Sequence, residues 1–596
     1  MQRLSALVTL GVAILLLSKA NAEPHGNEND SMKIHGATDP LHKPSTTGIT
    51  VHAHAPGPLS YFVYGEHSGT IIAHIVVMVL AWVFILPIGV MFSIARSRLA
   101  LPAQFIFLIV NALGVLVGIV YNGQTPDLYQ NNAHHKVGWI ATCVVIAQFV
   151  MGLLFAFPRR KSHGKGAAYE RVSFIPNLHS FPPDNMEHRH QHRWSRDSGQ
   201  GTERSSSSLH SQRSSSAGRG RRPVQDDEVE EFDEKQAKEN KAGSIFERFF
   251  RGAALDKFLT FWIPGLLSQR CVNVLRVGFI IVERTILPFG FITIVTGAVT
   301  YGGILRGNNV FNGLAHFIKG GIFLWYGFLT LGRWLGSFAD FGWAWNAKPT
   351  RDLVGWKANV PTGEFTESFV IFLYGASNVF LEHLAAWGGA WTAQDLEHVS
   401  ISVMFFGGGL CGMLAESKCV RHWVNSSIVT APIHPDQSSK IGEWQPPKTQ
   451  ELSLNPMPAI VILLLGLMMS SHHQASMVST MVHAQWGMLL VGFSLARAIT
   501  YVLLYLNPPT SFLPSRPPSE LVASFCLISG GLIFMLSTKD IIDVMIHYDL
   551  NAMFVFTVAM GLTAFVMALE IVAISLKAWA SKRTFVSSPQ TFRFPE

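Results

Sequence analysis

The residues of this 596-residue sequence best able to do chemistry are histidines set at the edges of long apolar runs. His74 lies about one turn inside the run His74-x3-Met78-x3-Trp82-x4-Pro87-x-Gly89, which closes with Arg96 and Arg98. A second run opens on His134-His135-Lys136-Val137-Gly138 and continues to Gln148 and Gly152. An imidazole facing hydrocarbon is costly unless it is paired or ligated. Two imidazoles from facing helices at one depth are how a membrane bundle holds a b-type haem. If the intervening helices alternate in direction, His74 and His134 meet at one membrane face.

Further along, His316-x3-Gly320 and His483-x3-Gly487 repeat the His134-x3-Gly138 opening. A small residue one turn past a histidine lets a flat ring or a neighbouring backbone come close. Glu382-His383 and Glu397-His398 bracket a short turn holding Trp387 and Trp391, and His472-His473 stand near Met477, Met481 and His483. Carboxylates with imidazoles suit zinc, whereas His with Met suits copper(I). His316, Glu382, His383, Glu397, His398, His472, His473 and His483 are therefore candidate ligands of a second haem or of Cu/Zn. Two other readings compete: interfacial His, Trp and Met as helix-end anchors, and a proton relay or transport path.

These side chains need helices to carry them. The sequence is 48% hydrophobic and 14% charged, with a mean hydropathy of +0.27. Apolar runs of about 20 residues recur, which defines an all-α polytopic membrane helix bundle. Residues 1–22 read as a cleaved signal peptide: Arg3, the apolar core Leu10–Leu17, then Ala20-Asn21-Ala22. Three spans follow at 70–94, 101–121 and 136–157. Eight more are expected at 277–301, 310–332, 366–382, 397–415, 456–471, 484–506, 519–537 and 552–576, eleven in all. Arg96, Arg98, Arg159, Arg160, Lys161, Lys577, Lys582 and Arg583 then fall on one side, the cytoplasmic one, leaving the N-terminus lumenal or extracellular. The net charge of +7 sits in those loops and sets topology; it is not a nucleic-acid footprint.

The remaining segments complete the organisation. Residues 23–68 form a polar, His-rich flexible arm with the glycosylation acceptor Asn29-Asp30-Ser31. The three-helix unit occupies 69–157, and 158–270 is a Ser/Arg-rich cytoplasmic loop without hydrophobic period, open to phosphorylation. The eight-span domain fills 271–580, and 581–596 is a cytoplasmic tail. Inside the spans, Glu283 and Arg284 are adjacent and must each find a partner on another helix. Lys319, Arg333 and Arg497 lie on further spans, with interhelical pairing the first expectation. Cys143, Cys271, Cys411, Cys419 and Cys526 fall in spans or on the cytoplasmic side, so no structural disulfide is expected.

The His-x3-Met-x3-Trp-x4-Pro-x-Gly run, followed by the His-x3-Gly helix, resembles the transmembrane cytochrome b561 family over about 90 residues. The resemblance implies His74 and His134 as axial ligands of haem b, with His135 the alternative if the helix turns by one residue and with Met78 and Trp82 beside the ring. The helix between them, Leu101 to Tyr121, lacks the histidine that the family carries there. The chain as a whole resembles the fungal YTP family (yeast putative transmembrane protein). Glu382–Glu416 and His483-Ala-Gln-Trp-Gly487 resemble the transmembrane protein 45 family.

Three function classes follow: a lumenal haem-b protein of the secretory pathway or plasma membrane, serving redox or structure; a non-haem metal-handling or transport protein using the His/Met/Glu cluster; and a scaffold regulated through the Ser/Arg-rich loop. No Walker loop or dinucleotide fingerprint is present, so a redox reading requires an electron-donor partner. Whether the chain is an enzyme is left open at this level.

Overall fold

The computed structural model describes residues 60–156, 269–307, 309–381, 390–429 and 452–586. These belong to one compact unit that begins at Pro58. The signal peptide, most of the His-rich arm with its glycosylation acceptor, the Ser/Arg-rich loop, Glu382, His383, Trp387 and the last ten residues lie outside the described residues.

In a bilayer every backbone N–H and C=O must be satisfied inside the segment, so long apolar runs become helices. Eleven long helices carry the described residues: α1 (Ser68–Ile94), α2 (Ala100–Gln124), α3 (Ala133–Ala156), α4 (Gln269–Gly302), α5 (Asn309–Leu335) and α6 (Gly363–Leu381), followed by α7 (Ala393–Glu416), α8 (Met457–Ser471), α9 (Met477–Leu506), α10 (Pro518–Leu536) and α11 (Ala552–Val586). Nine of them are long and apolar enough to cross a membrane; α6 and α8 are the other two. No strand occurs among the described residues. The chain is thus an all-α polytopic membrane protein, and each of the eleven expected spans is helical over its described residues.

Boundaries differ from the apolar runs because caps, not hydrophobicity, set them. α9 starts seven residues before its expected span, where the Ser476 side chain accepts from Ser479 N–H. α7 opens on a Thr392/Asp395 capping box, and α10 opens with proline at its first position. Within α1, residues Leu80–Ile85 form a wider π turn just ahead of Pro87. Proline lacks an N–H and its ring crowds the preceding turn, and the wider turn relieves that crowding.

Two cores result. Ala81, Trp82, Leu86, Phe107, Val145 and Ile286 join α1 to α4. Trp486, Leu490, Phe493, Leu527 and Ile533 centre the packing of α5 and α7–α11. Backbones touch where glycines meet: a Cβ on Gly320 would lie 2.6 Å from the Gly531 carbonyl oxygen, and one on Gly487 would lie 2.7 Å from that of Gly466. α11 packs against both α1 and α10, linking the two cores. The helices alternate in direction, so odd-numbered helices begin at one end of the bundle, here called the histidine end.

Candidate functional site

The connections between helices fix the histidine end. Tyr129 donates to the carbonyls of Ile304 and Leu305, each at 2.9 Å, and the Arg306 guanidinium lies 4.4 Å from the Tyr129 ring centroid. Arg306 also donates to the Leu128 carbonyl at 2.9 Å. These contacts tie the α2–α3 loop to the α4–α5 loop. Asn132 then caps α3 by accepting from His135 N–H at 3.0 Å, which places His134 in the first turn.

His74 and His134 meet there, with ring centroids 6.4 Å apart and planes crossing at 78°. His74 Nδ1 lies 2.8 Å from the Gly114 carbonyl oxygen, which can only accept, so Nδ1 carries the proton. His134 Nδ1 lies 3.4 Å from Thr296 Oγ1, whose own proton goes to the Thr293 carbonyl at 2.9 Å. That oxygen accepts from Nδ1–H as well. Each imidazole therefore keeps Nε2 as the free lone pair, the tautomer that metal-ligating histidines adopt when a neighbour holds the other nitrogen.

Glycines let the rings lie this way. A Cβ on Gly118 of α2 would stand 2.8 Å from His74 Nδ1, and one on Gly297 of α4 would stand 3.0 Å from His134 Cε1. Gly138, one turn past His134, has open space where its side chain would be. His135, the alternative ligand, is exposed. Met78 packs its sulfur toward Gly114, below His74. Trp82, two turns down, is committed elsewhere: its indole donates to Asn111 Oδ1 at 3.0 Å and its ring lies against Phe107 and Gly290.

A second pair forms in the other core. His316 and His483 lie 6.2 Å apart at 87°, with their Nδ1 atoms on the carbonyls of Asn312 (2.9 Å) and Ser479 (2.8 Å). Here the space around the rings is taken. Phe534 stands 5.4 Å from His316 and Trp486 stands 4.3 Å from Phe534. Gly320 and Gly487 are spent on backbone packing rather than on a ring. His472 reaches Glu397 at 4.0 Å, while His473, Met477 and Met481 are exposed. Among the described residues, no three His, Cys, Asp or Glu side chains gather closely enough to hold a metal ion.

The opposite end holds a buried ion-pair network built on the span cations Arg333 and Arg497. Arg333 donates to Glu364 at 2.9 Å and to Glu367 at 2.5 Å, and Arg497 reaches Glu367 at 3.2 Å and Glu520 at 2.7 Å. Glu283 is buried on α4 and accepts from the Ser93 hydroxyl of α1, whereas its neighbour Arg284 is exposed.

A family profile described as "Protein YTP1-like, C-terminal" matches residues 289–578, and a "Domain of unknown function (DUF2427)" matches residues 57–158. An uncharacterized membrane protein of Schizosaccharomyces pombe is 34% identical over 534 residues, covering 89% of this chain and 98% of the relative. An uncharacterized membrane protein of Saccharomyces cerevisiae is 39% identical over 328 residues, 53% of this chain and 50% of the relative. Protein YTP1 of the same yeast is 24% identical over 258 residues, 42% and 45% of the two chains. No solved structure matches.

Proposed function

The chain belongs to the YTP1-like family of fungal membrane proteins, and we propose that it is an integral-membrane b-type haem protein with His74 and His134 as axial ligands. The observation that carries this reading is the His74–His134 pair itself. Two imidazoles whose Nδ1 protons are held by neighbours would each offer an Nε2 lone pair to one metal. The pair stands at 6.4 Å with both Nδ1 protons bonded away.

The donor set also fits. Zinc needs three or four protein ligands, whereas haem iron takes four nitrogens from the porphyrin and asks only two of the protein. Among the described residues, no third His, Cys, Asp or Glu joins the two imidazoles closely enough to hold a metal ion, which matches the second demand. Open space beside Gly138 favours this pair over His316–His483, where Phe534 and Trp486 fill the gap.

Bound there, haem supplies one-electron transfer. The chain's own residues hold and orient. Gly114 and Thr296 fix the ring tautomers, Gly118 and Gly297 admit the rings, and the Tyr129–Arg306 stitch holds α3 against α4. The cationic flanks Arg96, Arg98, Lys577, Lys582 and Arg583 support a cytoplasmic arginine end, which would leave the histidine pair on the lumenal side. Electron exchange across the bilayer then requires a donor partner.

A reduced-minus-oxidised visible spectrum of the purified full chain, expressed with ample haem, tests this. A sharp alpha band lost in both His74→Ala and His134→Ala is expected, and a featureless spectrum from folded protein refutes it.

A further inference from the structure

Two buried polar atoms at the histidine end have no hydrogen-bond partner: the Tyr121 hydroxyl and Arg306 Nε. Tyr121 is only 5% exposed. Buried polar groups are almost always hydrogen-bonded, so each orphan marks a place for water or for a ligand. A phenol and a guanidinium N–H can both donate, and the guanidinium stays charged in any folded protein. An anion with oxygen acceptors suits both.

Helix register puts Tyr121 on the His74 side of α2. Residues three and four apart share a helix face, and Gly114, Gly118 and Tyr121 follow one another at those spacings. Gly114 accepts the His74 Nδ1 proton, and Gly118 lies against the His74 ring. Tyr121 is the next step of that stripe toward the histidine end. α4 repeats the arrangement: a Cβ on Gly297 would meet His134, and Tyr301 follows one turn later. Each imidazole is thus followed by a tyrosine toward the end of the bundle.

The neighbouring polar groups are already engaged. Tyr61 packs edge-on against Tyr121 with ring centroids 5.9 Å apart, and its hydroxyl accepts from Leu128 N–H at 3.3 Å. The carbonyl of the same Leu128 accepts from Arg306 Nη2 at 2.9 Å. Leu128 therefore gathers the Tyr61–Tyr121 pair and Arg306 into one cluster. Tyr129 gives its proton to the Ile304 and Leu305 carbonyls. Asp540 accepts from Leu305 N–H at 2.6 Å and from Asn309 at 2.5 Å, and Asp127 accepts from Tyr129 N–H at 3.2 Å. Among the described residues of this cluster, Tyr121 Oη and Arg306 Nε are the buried donors left over.

Resting on the haem reading, we propose that Tyr121 and Arg306 form a carboxylate-binding site for the propionates of the haem held by His74 and His134. Haem carries two carboxylates on one edge of an otherwise apolar ring. The apolar part belongs among the helices, and the charged edge belongs where donors wait for an acceptor. Gly118 and Gly297 admit the imidazoles, while Tyr121 and Arg306 set which edge of the porphyrin faces the end of the bundle. The site therefore selects a porphyrin with free carboxylates over a flat apolar ring of the same size.

Reconstitution of the purified full-length apo-protein with haem and, separately, with haem dimethyl ester tests this. The ester keeps the iron and the ring but lacks the carboxylates. The wild type should bind haem about 10–100-fold more tightly than the ester. Tyr121→Phe and Arg306→Gln should each shrink that ratio, while the alpha band that needs His74 and His134 stays. Tyr121→Phe deletes a hydroxyl that has no partner in the protein, so the stability of the apo-protein should hold; a fall would assign that hydroxyl a structural role and overturn the site. Equal affinity of the wild type for haem and ester overturns the proposal and leaves the axial pair standing, as does an undiminished ratio in either variant. Failure of both haem and ester to bind removes the axial-ligand reading, and this site with it. Should Arg306→Gln not fold, the wild-type comparison still decides, because it needs no substitution.

Discussion

Gly118→Ala probes the histidine pair without touching either histidine. The new methyl group would stand 2.8 Å from His74 Nδ1 and 2.9 Å from Cε1, whereas ordinary contact begins at 3.4 Å. The His74 ring must therefore withdraw by 3.4 minus 2.8, or 0.6 Å. Because Gly114 lies on the same helix one turn before Gly118, that withdrawal stretches the Nδ1–H bond to its carbonyl, 2.8 Å long. A preorganised site tolerates about 0.5 Å of misplacement, and losing the hydrogen bond that orients a ligating histidine costs about 10–100-fold in affinity. Haem retention should fall by that factor, and the oxidised protein should turn partly high-spin as one axial bond lengthens. Haem titration of the purified apo-protein, followed optically, measures both. Gly123→Ala is the control, because its added methyl on the same helix meets nothing. Affinity within twofold of wild type in Gly118→Ala, with a fully low-spin spectrum, would refute the geometry.

Further outcomes follow from the packing. Arg497→Met leaves three buried carboxyls facing one guanidinium and should cost about 3–5 kcal/mol of folding free energy, measured by denaturant titration in mixed micelles; adding Glu520→Gln should recover part of it. Gly320→Ala forces a methyl onto the Gly531 carbonyl and should destabilise by about 1–3 kcal/mol in the same assay, with the haem spectrum unchanged. Trp82→Phe removes the bond to Asn111 and should cost about 1–2 kcal/mol, again without moving the alpha band, since Trp82 lies two turns from His74. His316→Ala and His483→Ala should keep the alpha band that His74→Ala loses.

Much of this architecture is legible in the sequence because a bilayer leaves the backbone few choices. Each of the eleven expected spans is helical over its described residues, and alternation of direction puts His74, His134, His316 and His483 at one end of the bundle. The repeated His-x3-Gly marked the right helices but not one common use: Gly138 is open, while Gly320 and Gly487 are helix contacts. Spacing within one segment cannot say which backbone will lie across from it. The arginine network was half visible. Arg333 and Arg497 stand out as charges within spans, but Glu364, Glu367 and Glu520 fall at helix starts, where carboxylates are ordinary. Their pairing spans up to 130 residues and depends on helix order that no local pattern encodes. Trp345, left-handed at φ +48°, is likewise set by Asn346 and Ser515 contacts rather than by its own preference.

Low-temperature electron paramagnetic resonance of the oxidised, purified full chain tests the haem assignment most directly. With imidazole planes crossing at 78°, the account predicts a strongly anisotropic low-spin ferric signal, absent from His74→Ala and His134→Ala. A haem-free protein under haem-replete expression, or a low-spin signal that survives both substitutions, would contradict it.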